Sequence, residues 1–233
     1  ICNVQCWNPA PNGKPQNVSG QAKKPRMKRN LVIMGIISTI LSVLGCSGNA
    51  KNDDEKVSQS IEEFNNRKIY TKLTEELIDN TSDDKLLQLV FDNLSQKNSE
   101  DNENEFATVM SWNKSKQAIY MIWALESEVN NGGYNQFYLN SSGQFYKYLP
   151  DVLKIVGANK YAELTKRANE TFEKENAKIS QHQDGTIEGF SKSYEDNPLN
   201  EFDDEFYDLY QTENLQQIQV DYIRKHKTEF VDN

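Results

Sequence analysis

The chain has 233 residues, 36% hydrophobic and 26% charged, enough for one globular domain with a real core. Its formal net charge of −9 is unevenly spread: residues 1–45 hold six of the 26 basic residues and no acid, so residues 46–233 set 20 basic side chains against 35 acidic ones, a net of −15. A surface this acidic repels nucleic acid and anionic headgroups, which excludes direct nucleic-acid binding and leaves plain solubility or a basic protein partner.

Residues 1–26 begin without Met and look like neither signal nor domain; they are expected to be an upstream extension of the reading frame, with translation starting at Met27. Residues 27–45 have the layout of an export signal: Lys28 and Arg29, an apolar run from Leu31 to Leu44, then small residues. Fourteen residues are short of the roughly 20 that a helix needs to cross a bilayer. The run ends in Val43-Leu44-Gly45-Cys46, which resembles the bacterial lipobox, with Val where Leu is commonest. The resemblance implies cleavage after Gly45, a lipid on Cys46, and a place on the bacterial cell envelope, with the membrane held through that lipid. Residues 46–60 are small and polar, suited to a tether.

Residues 61–233 carry apolar side chains at helical spacing and no convincing alternation, which predicts a single all-α domain, an irregular bundle of about six to eight helices. Ile69, Leu73 and Leu77 form a first stripe, and Leu86, Val90 and Leu94 a second, widened by Leu87 and Phe91. Ser99 to Glu105 has no apolar residue and reads as a loop. Ala118, Ile122, Leu125 and Val129, with Ile119 and Trp123, define the central helix, expected to end near Asn130 at Asn131-Gly132-Gly133. Further helices are expected at Leu149–Val156, stopped by Gly157, and on the stripes Tyr161/Leu164/Ala168/Phe172, Phe202/Phe206/Leu209/Tyr210 and Leu215/Ile218/Tyr222.

The strings "ALESEVNNGGYNQFYLNSSG", "LKIVGANKYAELTKRA", "FDDEFYDLY" and "YIRKH" together resemble the bacterial DNA-mimic protein family, in the form of its all-helical carboxyl-terminal domain, over roughly Ser111 to Phe230. The family's named member is an acidic protein that imitates the phosphate charge of DNA and so occupies a DNA-binding protein. That mimicry rests on surface carboxylates and not on the shared strings. Here a candidate acidic face lies on one side of a helix starting at Asn200: Glu201, Asp204, Glu205 and Asp208, turned away from Phe202, Phe206 and Leu209. A solvated face is the plain reading of such a row; a surface for a basic protein is the functional one.

The most specific string, "NNGGYNQFYLN", supplies the candidate binding residues Asn130, Asn131, Gly132, Gly133, Gln136, Phe137 and Asn140. Its structural reading is a corner: glycines that stop the central helix, Tyr134, Phe137 and Tyr138 of a short following helix packed on the core, and Asn130, Asn131, Gln136 and Asn140 tying down the helix-end groups. Catalytic chemistry finds little support. Glu126 and Glu128 point about 160° apart on a helix, neither His182 nor His226 has a nearby sequence partner, and no phosphate-cradling loop follows the glycines. All three cysteines, Cys2, Cys6 and Cys46, precede the acidic portion, so no metal and no cofactor is expected. The expectation is a non-enzymatic protein-binding or scaffolding module. An immunity-type inhibitor of a basic protein, a cytoplasmic DNA mimic, and a hydrolase with a cleft near Asn131 and Gln136 stand as alternatives.

Overall fold

The computed structural model describes residues 58–59, 61–100, 104–182 and 186–232. The signal-like run, Cys46 and most of the tether lie outside these residues. Residues 61–66 are helical, and nine further α-helices follow, with no strand among the described residues: α1 (Glu75–Asn80), α2 (Asp83–Glu100), α3 (Glu105–Ser111), α4 (Lys114–Leu139), α5 (Leu149–Val156), α6 (Asn159–Ile179), α7 (Ile187–Lys192), α8 (Asn200–Leu209) and α9 (Leu215–Lys225). The predicted all-α bundle is what forms. Short 3₁₀ turns at Ser141–Phe145, Ser180–His182 and Lys227–Glu229 join or end them.

Helix starts follow capping chemistry. Thr74, Asn104, Asn113 and Asn214 each accept a backbone N–H of the first turn at 2.9–3.1 Å, ahead of α1, α3, α4 and α9. Pro150 sits in the first turn of α5, where its missing N–H is harmless, and Gly157 ends that helix at φ +99°.

The central helix α4 packs against α2, α3, α5, α6 and α8, while α9 closes the bundle against α2 and α5. Ala118, Ile119, Met121, Ile122, Leu125 and Val129 are fully buried along it. Each large apolar side chain so enclosed contributes about 1.5–3 kcal/mol, which is why the 3.6-residue stripes set the helix faces.

The sequence expectation fails at two places. Ile69, Leu73 and Leu77 do not share a helix: Thr74 caps α1 just after Leu73, and Leu73 is buried in extended chain by paired bonds with Asp232, backbone to carboxylate and backbone to backbone, both at 3.1 Å. Ser99, Glu100 and Glu105, expected in a loop, are helical instead: α2 runs on through Glu100 and α3 starts at Glu105. The expected interruption at Asn131-Gly132-Gly133 does form: α4 breaks there and resumes at once, and the short following helix is its second limb, Tyr134–Leu139.

Candidate functional site

The break is made by two different glycines. Gly132 is extended (φ −168°), whereas Gly133 lies at φ +69°, ψ −177°, where a side chain is strained. A Cβ on Gly133 would also fall 2.1 Å from Asp203 Oδ2. The glycine is needed for backbone shape and for room at once.

Breaking a helix frees backbone groups that must be paired when buried. Three side chains from one neighbouring segment pair them. Asp203 of α8 accepts the Tyr134 N–H at 2.7 Å, capping the second limb; Tyr207 of α8 donates to the Val129 carbonyl at 2.8 Å; Tyr194, in the turn before α8, donates to the Gly132 carbonyl at 2.9 Å. A buried amide pair extends the clamp: Asn135 donates to Ser193 at 2.8 Å, and Asn197 donates to Asn135 at 2.9 Å. The string "NNGGYNQFYLN" is therefore the slot into which residues 193–207 dock.

Within the slot the predicted residues divide. Gln136 and Asn140 both donate to Glu128 Oε2 at 2.7 Å, and Ser142 donates to its other oxygen at 3.2 Å. Phe137 is fully buried and meets Tyr138 edge-on at 5.0 Å. Asn130 reaches the Tyr210 hydroxyl at 3.3 Å. Asn131 is exposed and its side chain has no hydrogen bond among the described residues, so it does not tie the corner.

Three carboxylates surround the break, and none is in an ion pair with a described residue. Burial pushes Glu126 up to about 7, against hydrogen bonds from Gln219 (2.7 Å) and Tyr210 (3.2 Å). Burial likewise raises Asp203 to about 6, against the Tyr134 N–H. Glu128 is raised by burial too, opposed by Gln136, Asn140 and Ser142. Glu126 and Glu128 do face apart, each to its own partners.

Asp203 went unnamed in the sequence reading, yet it lies three and four residues before Phe206 and Tyr207. That spacing places it on the inner edge of α8 and was available as a signal. Of the predicted acidic row, Glu201, Asp204 and Asp208 are exposed with no ion pair among the described residues, whereas Glu205 is paired with Arg167 of α6.

Away from the break, His226 has the near partner that the sequence reading denied it: Nδ1 lies 3.1 Å from Glu229 Oε1, three residues on. Ser115 Oγ donates to Glu229 Oε2 at 2.5 Å. Ser115 is fully buried and the carboxylate, not the imidazole, lies between the other two, an order that does not activate a serine. An open groove of about 360 Å³ between α5 and α9 is lined by Ile155, Gly157, Ile218, Tyr222, Lys225 and His226, and by none of the corner residues. Trp123 stacks on Phe91 at 4.2 Å and Trp112 meets Tyr120 edge-on at 5.4 Å, so both are packed on protein. Among the described residues no group of three or more His, Cys, Asp or Glu could hold a metal ion, and no helix is long and apolar enough to cross a membrane.

An acidic all-helical domain, built round a central helix broken at two glycines and clamped by a later helix, is the class that fold and site define. The family model described as DMP19-like protein matches residues 110–226, which takes in the broken helix, its clamp and α9. The chain belongs to the DMP19-like protein family. No curated protein and no solved structure matches it.

Proposed function

We propose that this chain is a non-catalytic protein-binding module that takes a basic protein partner on the outer face of α8, and that a lipid on Cys46 holds it at the bacterial envelope. The observation that carries the binding reading is the division of labour on α8. Its inner side, Phe202, Asp203 and Phe206, is committed to the core and the break, which the hydroxyl of the exposed Tyr207 also reaches, while Glu201, Asp204 and Asp208 stand exposed and unpaired by any described residue. A rigidly mounted row of free carboxylates suits a cationic surface and raises its rate of encounter. Membership of the DMP19-like family is compatible with such a role, and a basic, nucleic-acid-binding protein is the alternative partner if the chain remains in the cytoplasm.

The binding reading is tested by recovery of basic proteins on the full chain and on the triple variant Glu201→Gln, Asp204→Asn, Asp208→Asn, at low and high salt. Recovery should fall with salt for the parent and be lost about tenfold in the variant; recovery indifferent to both removes α8 as the face. Anchoring is tested separately by cell fractionation, in which Cys46→Ala should move the protein from the membrane to the soluble fraction. A protein soluble with or without Cys46 refutes the lipid.

A further inference from the structure

Glu126 is half-buried where three parts of the fold meet. On α9, Gln219 Nε2 donates to its Oε2 at 2.7 Å; after α8, the Tyr210 hydroxyl donates to its Oε1 at 3.2 Å and itself receives Asn130 Nδ2 at 3.3 Å. From α6 comes Tyr161, whose hydroxyl donates to the Phe206 carbonyl at 3.3 Å and whose N–H is held by Glu213 at 3.1 Å. These titratable neighbours, Tyr210, Tyr161 and Glu213, are neutral or acidic; none can balance an anion at Glu126.

The second observation is on the other partner. Gln219 is fully buried, its Nε2 donates to Glu126 and to the Leu215 carbonyl, and its Oε1 has no hydrogen-bond partner among the described residues. A buried amide oxygen left without a donor costs about 1–3 kcal/mol, and an ionised carboxylate beside it has no hydrogen to offer. A neutral carboxylic acid has one.

We propose that Glu126 is held as a carboxylic acid in a two-point pair with Gln219, forming a proton-dependent bolt between α4 and α9. The Glu126 O–H donates to Gln219 Oε1 while the other carboxyl oxygen goes on accepting from Gln219 Nε2. Tyr210 then donates to the carboxyl hydroxyl oxygen, so every polar atom of the cluster is used. Loss of the proton sets a carboxylate against the amide oxygen and removes one of the two bonds that join the helices. The bolt stands independently of what α8 binds.

The sign follows from burial. A carboxyl whose folded value is raised adds stability that is complete in acid and is lost as pH climbs from its ordinary range through its folded value, here from about 4.5 to about 7. Gln at position 126 keeps both bonds to Gln219 with no proton to lose, because its amide N–H takes the place of the O–H, although its nitrogen cannot accept from Tyr210.

The test uses the full chain. Carbon-detected NMR of the Glu126 carboxyl through a pH titration should give a midpoint well above the usual carboxylate range; a midpoint at or below about 4.5 overturns the bolt. Between pH 5 and 7.5 the unfolding midpoint of Glu126→Gln should fall about 5 °C less than the parent's, whatever constant offset the lost Tyr210 acceptor imposes. A variant with the parent's pH slope overturns it as well. Should the variant fail to fold, the titration of the parent decides alone.

Discussion

Gly133 and Asp203 occupy the same small volume, and each explains the other. Placing a methyl group at position 133 both forces a side chain to φ +69° and drives it into the Asp203 carboxylate. Gly133→Ala should therefore lower stability by about 2–4 kcal/mol in chemical denaturation. Gly132→Ala should lower it less, since its backbone is extended and the atoms in the way are the ends of the Gln136 and Tyr194 side chains. Asp203→Ala should cost about 2 kcal/mol by orphaning the Tyr134 N–H, and Asp203→Asn should recover most of that loss, because the amide oxygen can still accept.

At the level of elements, α8 acts as a clamp on α4, through Asp203 and Tyr207 and helped by Tyr194 just before it. The double variant Tyr194→Phe, Tyr207→Phe strips two carbonyls of their donors and should lose about 2 kcal/mol, with faster amide hydrogen exchange at Tyr134–Phe137. How far such elements could be foreseen depends on the reach of the forces that make them. The stripes of α2, α4, α5 and α9 are legible in the chain because a 3.6-residue period needs only near neighbours. The start of α1 was not, because Leu73 is held extended by Asp232, 159 residues away. Two glycines announced the interruption in α4, and Tyr134, Phe137 and Tyr138 the short helix beyond it, but the cap delivered from position 203 is recorded in no local pattern. The acidic row of α8 was visible as a row, while the pairing of Glu205 with Arg167 required the packing of α6 against α8.

Over the whole molecule two sets of carboxyls respond to pH in opposite senses. Glu126, Glu128 and Asp203 are raised by burial, so their contribution grows as pH falls from about 7 toward the ordinary carboxylate range. Glu229 and Asp232 are lowered, Glu229 chiefly by its hydrogen bond from Ser115; at Asp232 burial is the largest single influence and raises it, but hydrogen bonds from Lys97 and the Leu73 N–H together with the charges of Lys97 and Lys116 bring it down, and the contribution of both groups is lost as pH falls through their folded values. Thermal unfolding followed by circular dichroism from pH 3 to 8 should thus show greatest stability in mild acid, at about pH 5, and not at neutrality. Asp232→Ala should flatten the acid limb and cost about 2–3 kcal/mol at neutral pH, since it leaves Lys97 and Lys116 facing each other and Leu73 without its acceptor.

The broken central helix also dictates an order of events during synthesis. Tyr134 waits for a cap 69 residues further along the chain, and the Val129 carbonyl for a hydroxyl 78 residues on. A nascent chain ending before residue 203 therefore has no way to complete its own centre, and the closing step waits until residues 203–207 have emerged.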